Sequence, residues 1–209
     1  MKKLFLIPVV VAFFSFGSAA QAQVDQSNPQ ALIKTATEQV LNEVRTQQSI
    51  KPNDIGRVTD IVNRDILPYV DFRRTTQIAM GRNWRTATPD QQQQVIEQFK
   101  MLLIRTYAGA LAQLKPDQQI QYPPFRADPG ATDVVVRTLA QTNGQPAQID
   151  YRLYKSPQGW RVYDLNVLGA WLIQTYQQQF NEKIQQSGVD GLIKFLTERN
   201  QQLAGGKAS

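Results

Sequence analysis

Carboxylates are the only acid or base candidates of the ordinary kind in this sequence, because it contains no histidine and no cysteine. The usual general base, thiol nucleophiles and most zinc sites therefore have no side chains to form them. No glycine-rich phosphate loop, G-x-S-x-G motif or S-x-x-K motif is present either. None of the candidates is paired at catalytic spacing, so we predict structural roles, no enzymatic activity, no cofactor and no metal. The candidates are Asp60, Asp65, Asp71, Asp150 and Asp164.

A group of arginines is the second feature with a defined chemistry. Arg73, Arg74, Arg82 and Arg85 lie close together, and the chain carries a formal net charge of +6. Guanidinium groups bind phosphates and carboxylates through paired hydrogen bonds. The group is either a solvated helix face or a contact for phosphate headgroups or an acidic partner. Nucleic acid is not expected, because the basic and aromatic residues are not interleaved in a known nucleic-acid-binding pattern.

The first residues predict the compartment. Two lysines precede an apolar run at 4–14, and residues 20–22 read Ala-Gln-Ala, a typical cleavage site. The apolar run is short for a membrane span. We therefore predict a cleaved signal peptide at 1–22, a single domain at 23–203, a flexible tail at 204–209 and a location in the bacterial periplasm.

The elements that must position these residues are mostly helical in the first half of the chain. Apolar residues recur there every three or four positions. Pro68 and Gly81 are expected to end helices, and Thr88 with Pro89 to begin one. The predicted helices cover about 29–48, 55–66, 72–80 and 89–114, and two more follow the strands at 170–186 and 189–202.

From Ile120 the apolar period changes to two, which predicts strands. Asn143-Gly144 and the segment 156–159 are turn signals, so the strands should form an antiparallel meander. Helices before and after one sheet define an α+β fold. The four predicted strands cover 120–125, 133–141, 148–155 and 160–167.

The fourth predicted strand carries apolar residues in both of its alternating sets of side chains. Strict alternation places Trp160 and Val162 on one face and Tyr163, Leu165 and Val167 on the other. The second face could be covered by protein, as in a central strand, or it could line a cavity for an apolar ligand. Aromatic residues in the sheet and its neighbouring helices favour the cavity, although aromatics also dominate ordinary cores.

Six short motifs follow one another along most of the chain. They are Leu-Pro-Tyr-Val at 67–70, Gly81-x-x-Trp84 with Ala-Thr-Pro-Asp-Gln at 87–91, the helix at 99–107, Tyr-Arg-Leu at 151–153, Trp-Arg-Val-Tyr-Asp at 160–164 and Gly-Val-Asp-Gly-Leu at 188–192. In these motifs and their order the sequence resembles the MlaC family of periplasmic phospholipid-binding proteins, also called the toluene-tolerance auxiliary family. One departure is the apolar stretch at 167–171, where the family commonly has Glu-Gly, a small residue and Ser; this predicts a more apolar entrance.

This resemblance implies a phospholipid carrier. It implies a twisted four-stranded antiparallel sheet packed against several helices and enclosing an apolar pocket. The implied ligand is a phospholipid whose acyl chains enter the pocket. The implied partners are an outer-membrane lipoprotein complex and an inner-membrane ABC transporter complex, which together maintain outer-membrane lipid asymmetry. ATP would be used by the transporter.

Period and position predict which residues contact the ligand. Two alternatives stay open: a pocket enzyme on a small apolar substrate with Asp164 or Asp71 as base, and a periplasmic protein-binding module. Headgroup or partner contact is expected at the four arginines. The predicted lipid contacts are Val70, Phe72, Ile78, Trp84, Phe99, Leu103, Tyr107, Tyr151, Val167, Leu168, Trp171, Leu172 and Tyr176.

Overall fold

The computed structural model describes most of the chain after the predicted signal peptide. None of the helices it describes combines the length and the apolar character that a membrane span needs. The predicted signal peptide, Leu168 and the end of the predicted tail lie outside the described residues. The described ranges are 26–46, 54–115, 117–142, 145–167 and 169–205.

Five α-helices make up most of the described chain, and all four helices predicted in the first half are confirmed with shifts of a few residues at their ends. Shorter turns of other helix types join them: π-helical Val62–Ile66, and 3-10 helices at Leu67–Tyr69 and Gly81–Arg85. The α-helices are α1 (Pro29–Thr46), α2 (Ile55–Ile61), α3 (Phe72–Met80), α4 (Pro89–Ala112) and α5 (Leu172–Ala204).

Local capping explains where α3 and α4 begin and end. The Gln91 backbone N–H donates to the Thr88 hydroxyl at 3.2 Å, and the Thr88 N–H donates to the Gln91 side chain at 3.0 Å. This reciprocal pair satisfies two backbone donors at the start of α4. Asp71 accepts from the Arg74 N–H at 2.9 Å and begins α3. Gly81 ends α3 with φ +57°, a conformation that favours glycine.

The C-terminal part of α5 agrees with its prediction of two helices. The range Leu172–Ala204 is interrupted by non-helical backbone at Ser187 and Gly188, the point where the first predicted helix ends and the second begins. Gly188 has φ +69°, a conformation that favours glycine. Ala204, where the flexible tail was predicted to begin, is the last residue of α5.

The sheet is an antiparallel meander in chain order, as predicted, but it contains five strands. The first predicted strand shrinks to two residues, because Pro123 and Pro124 follow and lack the N–H that a ladder needs. Ala170 and Trp171, predicted to be helical, form the extra strand. The strands are β1 (Ile120–Gln121), β2 (Asp133–Thr142), β3 (Gln145–Ser156), β4 (Gly159–Val167) and β5 (Ala170–Trp171).

A bulge in β4 overturns the prediction that this strand has two apolar faces. Asp164 pairs with Arg152 and Val162 pairs with Leu153, so Tyr163 is an extra residue between two consecutive pairs. An extra residue reverses the alternation of everything after it. The apolar residues before and after Tyr163 therefore share one face, called the apolar face below. It carries Val134, Val136, Tyr151, Leu153, Trp160, Val162, Leu165 and Val167.

Buried apolar residues of the described chain form three clusters. The sheet cluster lies between α1 and the apolar face, and contains Leu32, Ile33, Tyr69, Val134, Val136, Leu153, Trp160 and Val162. The helix cluster lies among α3, α4 and α5, and contains Ala79, Met80, Trp84, Ala87, Val95, Phe99, Leu102, Phe180, Leu192 and Leu196. The corner cluster joins α1, α2 and α4, and contains Val40, Val44, Val58, Ile61, Ile104 and Ala108.

Candidate functional site

Three elements connect the clusters in pairs. Along α1, Leu32 belongs to the sheet cluster and Val40 to the corner cluster. Along α4, Phe99 belongs to the helix cluster and Ile104 to the corner cluster. The segment 69–72 joins the sheet cluster to the helix cluster in the same way. A domain of this size usually has one contiguous core, whereas the buried residues described here divide into three clusters.

Large apolar side chains at the margins of the clusters remain partly buried. Such side chains keep apolar area that another apolar body could cover. They come from the sheet, from α3 to α5 and from the π-helical turn. They include Val70, Tyr151 and Leu165 beside the sheet cluster, Phe72, Leu103 and Tyr176 beside the helix cluster, and Val62 and Ile66 beside the corner cluster.

An aromatic group in the helix cluster brings several predicted residues together. The ring centre of Phe99 lies 4.8 Å from that of Tyr176, 4.9 Å from that of Phe180 and 5.4 Å from that of Phe72. Tyr176 also interacts electrostatically with Tyr107, and burial raises the pKa of both phenols. Four predicted lipid contacts therefore form one group, called the aromatic wall below: Phe72, Phe99, Tyr107 and Tyr176.

Tyr151 forms the corresponding wall on the sheet. It lies on β3, the third of five strands, and is paired with Val136 on one side and Leu165 on the other. Burial raises the pKa of Tyr151, while hydrogen bonding to Thr138 and Thr37 partly opposes that rise. Its side chain nevertheless keeps partial exposure at the centre of a covered sheet face.

The predicted contacts at the end of β4 do not all share that face. Val167 pairs with Ile149 and lies on the apolar face with Tyr151. Trp171 pairs with Asn166 and therefore lies on the opposite face. Leu172 is buried at the start of α5. The structure thus separates Trp171 from Tyr151 and Val167, and Leu168 lies outside the described residues.

The remaining predicted contacts lie on α3 and its surroundings. Val70 makes an isolated parallel bridge with Val162 and packs beside the sheet cluster. Trp84 is buried within the helix cluster, and Leu103 borders it. Ile78 is partly buried on α3, and its carbonyl accepts a hydrogen bond from Gln177.

The arginine group divides into one structural and three exposed residues. The guanidinium carbon of Arg74 lies 4.1 Å from the ring centre of Tyr154 and 5.1 Å from that of Tyr163, on the polar face of the sheet. Arg73 stacks 5.1 Å from the ring centre of Trp84 but stays exposed. The side chains of Arg82 and Arg85 are exposed as well.

Four of the five predicted carboxylates have structural partners. Asp164 accepts from the backbone N–H groups of Leu165 at 2.9 Å and Ile173 at 3.0 Å, and forms an ion pair with Arg152 at 3.1 Å. Burial is the largest influence on Asp164 and raises its pKa, although these partners oppose the rise. The others are Asp71, which caps α3 and accepts from the Tyr154 hydroxyl, Asp65, paired with Arg64, and Asp150, paired with Arg137.

Asp60 is exposed on α2. No group of three acidic side chains within the described ranges is arranged to hold a metal ion. The side chains at the margins of the three clusters are apolar or aromatic, and what they offer a ligand is apolar contact.

Two residues of the site were missed from the sequence. Thr37 of α1 and Tyr122 after β1 lie beside Tyr151, where their hydroxyls meet. Thr37 follows Ile33 by four residues and precedes Val40 by three, so its position on the apolar stripe of α1 was a readable signal.

The fold and the apolar surface define an α+β architecture that has been solved with a lipid bound. A phospholipid-binding protein from Ralstonia solanacearum, determined in complex with a phospholipid, superposes with a TM-score of 0.81. It is 50% identical in sequence, and the similarity covers 85% of this chain and 99% of that chain.

The sequence matches the family model described as MlaC protein over residues 34–198, and the chain belongs to the MlaC family. Toluene tolerance protein ttg2D of Pseudomonas putida is 26% identical over 186 residues, 88% of this chain and 83% of that protein. The intermembrane phospholipid transport system binding protein MlaC of Haemophilus influenzae is 22% identical over 198 residues, 92% of this chain and 91% of that protein. The predicted family is confirmed.

Proposed function

We propose that this protein is a periplasmic phospholipid carrier without enzymatic activity. The observation that carries the proposal is a core divided into three clusters with half-buried apolar side chains at their margins, in a chain half identical to a protein solved with a phospholipid. The acyl chains would lie between the aromatic wall at Phe99 and the sheet wall at Tyr151. The headgroup would stay near solvent.

A carrier must cover both acyl chains of its lipid, because exposing them to water costs a large free energy. Two chains of common length contain about 30 CH₂ groups, and exposing them to water costs roughly 24 kcal/mol at about 0.8 kcal/mol each. A carrier that covered only half of them could not compete with a bilayer. Transfer between a bilayer and an apolar interior can be nearly balanced, so the direction of transport would come from partners.

The proposed lining is narrower than the set predicted from the sequence. Trp171 is left out because it lies on the opposite face of the sheet. Trp84, Phe99 and Leu172 are buried and support the lining from behind. The residues that remain as proposed contacts are Val70, Phe72, Leu103, Tyr107, Tyr151, Val167 and Tyr176, with Leu165 added.

The proposed partners follow from the family and from the exposed arginines. Phospholipid would be exchanged with an outer-membrane lipoprotein complex and an inner-membrane ABC transporter complex, which maintains the lipid asymmetry of the outer membrane. The name of the Haemophilus influenzae relative, an intermembrane phospholipid transport system binding protein, supports this role. Arg73, Arg82 and Arg85 are exposed and would attract anionic headgroups or acidic surfaces on these partners.

The domain organisation is part of the same proposal. A signal peptide at 1–22 would deliver the chain to the periplasm and be removed. A single lipid-binding domain at 23–203 would follow, and the family match at 34–198 falls inside it. No step of the proposed function needs a cofactor, a metal ion or nucleic acid.

Lipid mass spectrometry tests the proposal directly. The purified protein should yield a stoichiometric phospholipid on extraction with organic solvent, and the lipid-free protein should take phospholipid from vesicles. The lipid should be recovered chemically intact after long incubation. Absence of lipid in both experiments would refute the carrier, and hydrolysed or modified lipid would favour the pocket enzyme.

A further inference from the structure

A small group of hydroxyls lies within the otherwise apolar surroundings of the sheet cluster. Thr37 on α1 lies beside the phenols of Tyr122 and Tyr151, and Thr138 on β2 approaches Tyr151 as well. Both tyrosines border the sheet cluster, together with Ala36, Phe125 and Leu165. Burial raises the pKa of both phenols, as expected for groups removed from water.

The hydrogen-bond directions in this group leave the phenols as donors. The Thr37 hydroxyl donates its proton to the Ile33 carbonyl at 2.7 Å, and the Thr138 hydroxyl donates to the Ile149 carbonyl at 3.4 Å. Each threonine hydroxyl has one proton. The threonine oxygens can therefore only accept, and the free protons of the group belong to the tyrosines.

Tyr122 lacks a well-formed partner for its proton. Its hydroxyl oxygen is enclosed, yet it makes no hydrogen bond of good geometry with any described residue, despite the nearby Thr37. A buried hydroxyl without a partner is costly and calls for an explanation. A hydrocarbon chain cannot satisfy it, because hydrocarbon offers no acceptor.

We propose that the Tyr122 hydroxyl, held beside Tyr151 and Thr37, forms a polar subsite that donates one hydrogen bond to an ester carbonyl oxygen of the bound acyl lipid. This inference rests on the proposed carrier function and adds a determinant of lipid class to it. Ester carbonyls are the acceptors that join each acyl chain to the glycerol backbone. A subsite of this kind fixes the position of the glycerol end of the chains and discriminates against ligands that lack the carbonyl.

Ether lipids provide the test, because they keep the headgroup and chains but lack the carbonyl. Lipid-free protein is mixed with vesicles containing equal amounts of dipalmitoyl phosphatidylglycerol and its di-O-hexadecyl analogue, and the bound lipids are quantified by mass spectrometry. The wild-type protein should prefer the diacyl lipid about fivefold, the effect of one neutral hydrogen bond. Equal retention of the two lipids by the wild-type protein would overturn the subsite.

Tyrosine-to-phenylalanine variants assign the preference to the subsite. The double variant Tyr122→Phe/Tyr151→Phe should bind lipid but show no preference between ester and ether. Tyr163→Phe is the matched control: its hydroxyl donates to Asp133 on the opposite face of the sheet, so the preference should persist. A double variant that keeps the wild-type preference would contradict the proposal.

A stability measurement separates ligand binding from a structural role. Because the Tyr122 hydroxyl makes no well-formed hydrogen bond with any described residue, lipid-free Tyr122→Phe should unfold at the wild-type temperature or above it. A clear fall in the unfolding temperature of the lipid-free variant would show that the hydroxyl serves the fold instead. If the wild-type protein retains neither lipid, the carrier function itself fails, which is distinct from equal retention of both.

Discussion

The guanidinium carbon of Arg152 lies 3.8 Å from the ring centre of Trp171, so the arginine stacks flat on the indole while it holds Asp164. Asp164 in turn accepts from the Ile173 N–H in the first turn of α5. The contact therefore fastens β5 and the start of α5 to the polar face of the sheet. The junction between sheet and helix is thus held by polar groups on the face opposite the one that packs against α1.

Replacing Arg152 should lower the stability of the protein, because Arg152 holds this junction. Arg152→Ala leaves the fully buried Asp164 side chain without its counter-ion, so the free energy of unfolding should fall by about 2 kcal/mol. The loss is moderated because two backbone N–H groups still donate to Asp164 and because Arg152 is partly exposed. Arg137→Ala is the control, because that pair is more exposed, and the loss should stay below about 1 kcal/mol. Urea unfolding at neutral pH measures both, and equal losses would contradict the assigned role.

The raised pKa of Asp164 predicts a pH dependence with a definite sign. The folded protein binds this proton more tightly than the unfolded chain does, so the contribution of Asp164 to stability is greatest at low pH. It should fall as the pH rises from about 4 through the raised pKa, and then stay constant. The test is the difference in unfolding free energy between the wild-type protein and Asp164→Asn across this range. A difference that grows in favour of the wild-type protein with rising pH would refute the prediction.

Filling the space beside the apolar face should displace lipid. Leu165→Trp adds bulk next to Tyr151, and displacement of about two methylene groups would cost about 1.6 kcal/mol, or about fifteenfold in lipid retention. Val135→Trp is the matched control, because Val135 is 45% exposed and lies on the opposite face. Retention of vesicle-derived phospholipid measures both variants. Unchanged retention in Leu165→Trp would remove the apolar face from the proposed lining.

The kink in α5 should depend on glycine. Gly188→Ala places a side chain at φ +69°, which should destabilise the protein by about 1–2 kcal/mol. Gly109→Ala, in the last turn of α4, should stabilise it by about 0.5–1 kcal/mol, because helical alanine is favoured. An added Cβ meets no atom within 4 Å at either position, so the contrast isolates backbone conformation. Thermal unfolding of both variants measures it, and a stabilised Gly188→Ala would show that the kink relaxes.

Much of this fold could be predicted from the sequence, because its signals are local. The helix start at Thr88, the stop at Gly81 and the change of period at Ile120 each depend on a few neighbouring residues, and the structure confirms all three. The sequence also lacks histidine and cysteine, which excludes the usual general base and thiol nucleophiles. The family marks were also readable in order along the chain.

The faces of the sheet could not be predicted in this way, because they depend on pairing between strands. Nothing within β4 itself marks Tyr163 as the extra residue; the bulge exists only relative to the partners of Leu153 and Arg152 on β3. That single shift moved Leu165 and Val167 to the face of Val162. The sequence determined which segments are strands and helices, through local backbone and side-chain preferences. Only the tertiary structure decided which side chains of the sheet point into the interior. Their direction depends on the register between strands, which is set by hydrogen bonds between segments distant in the chain.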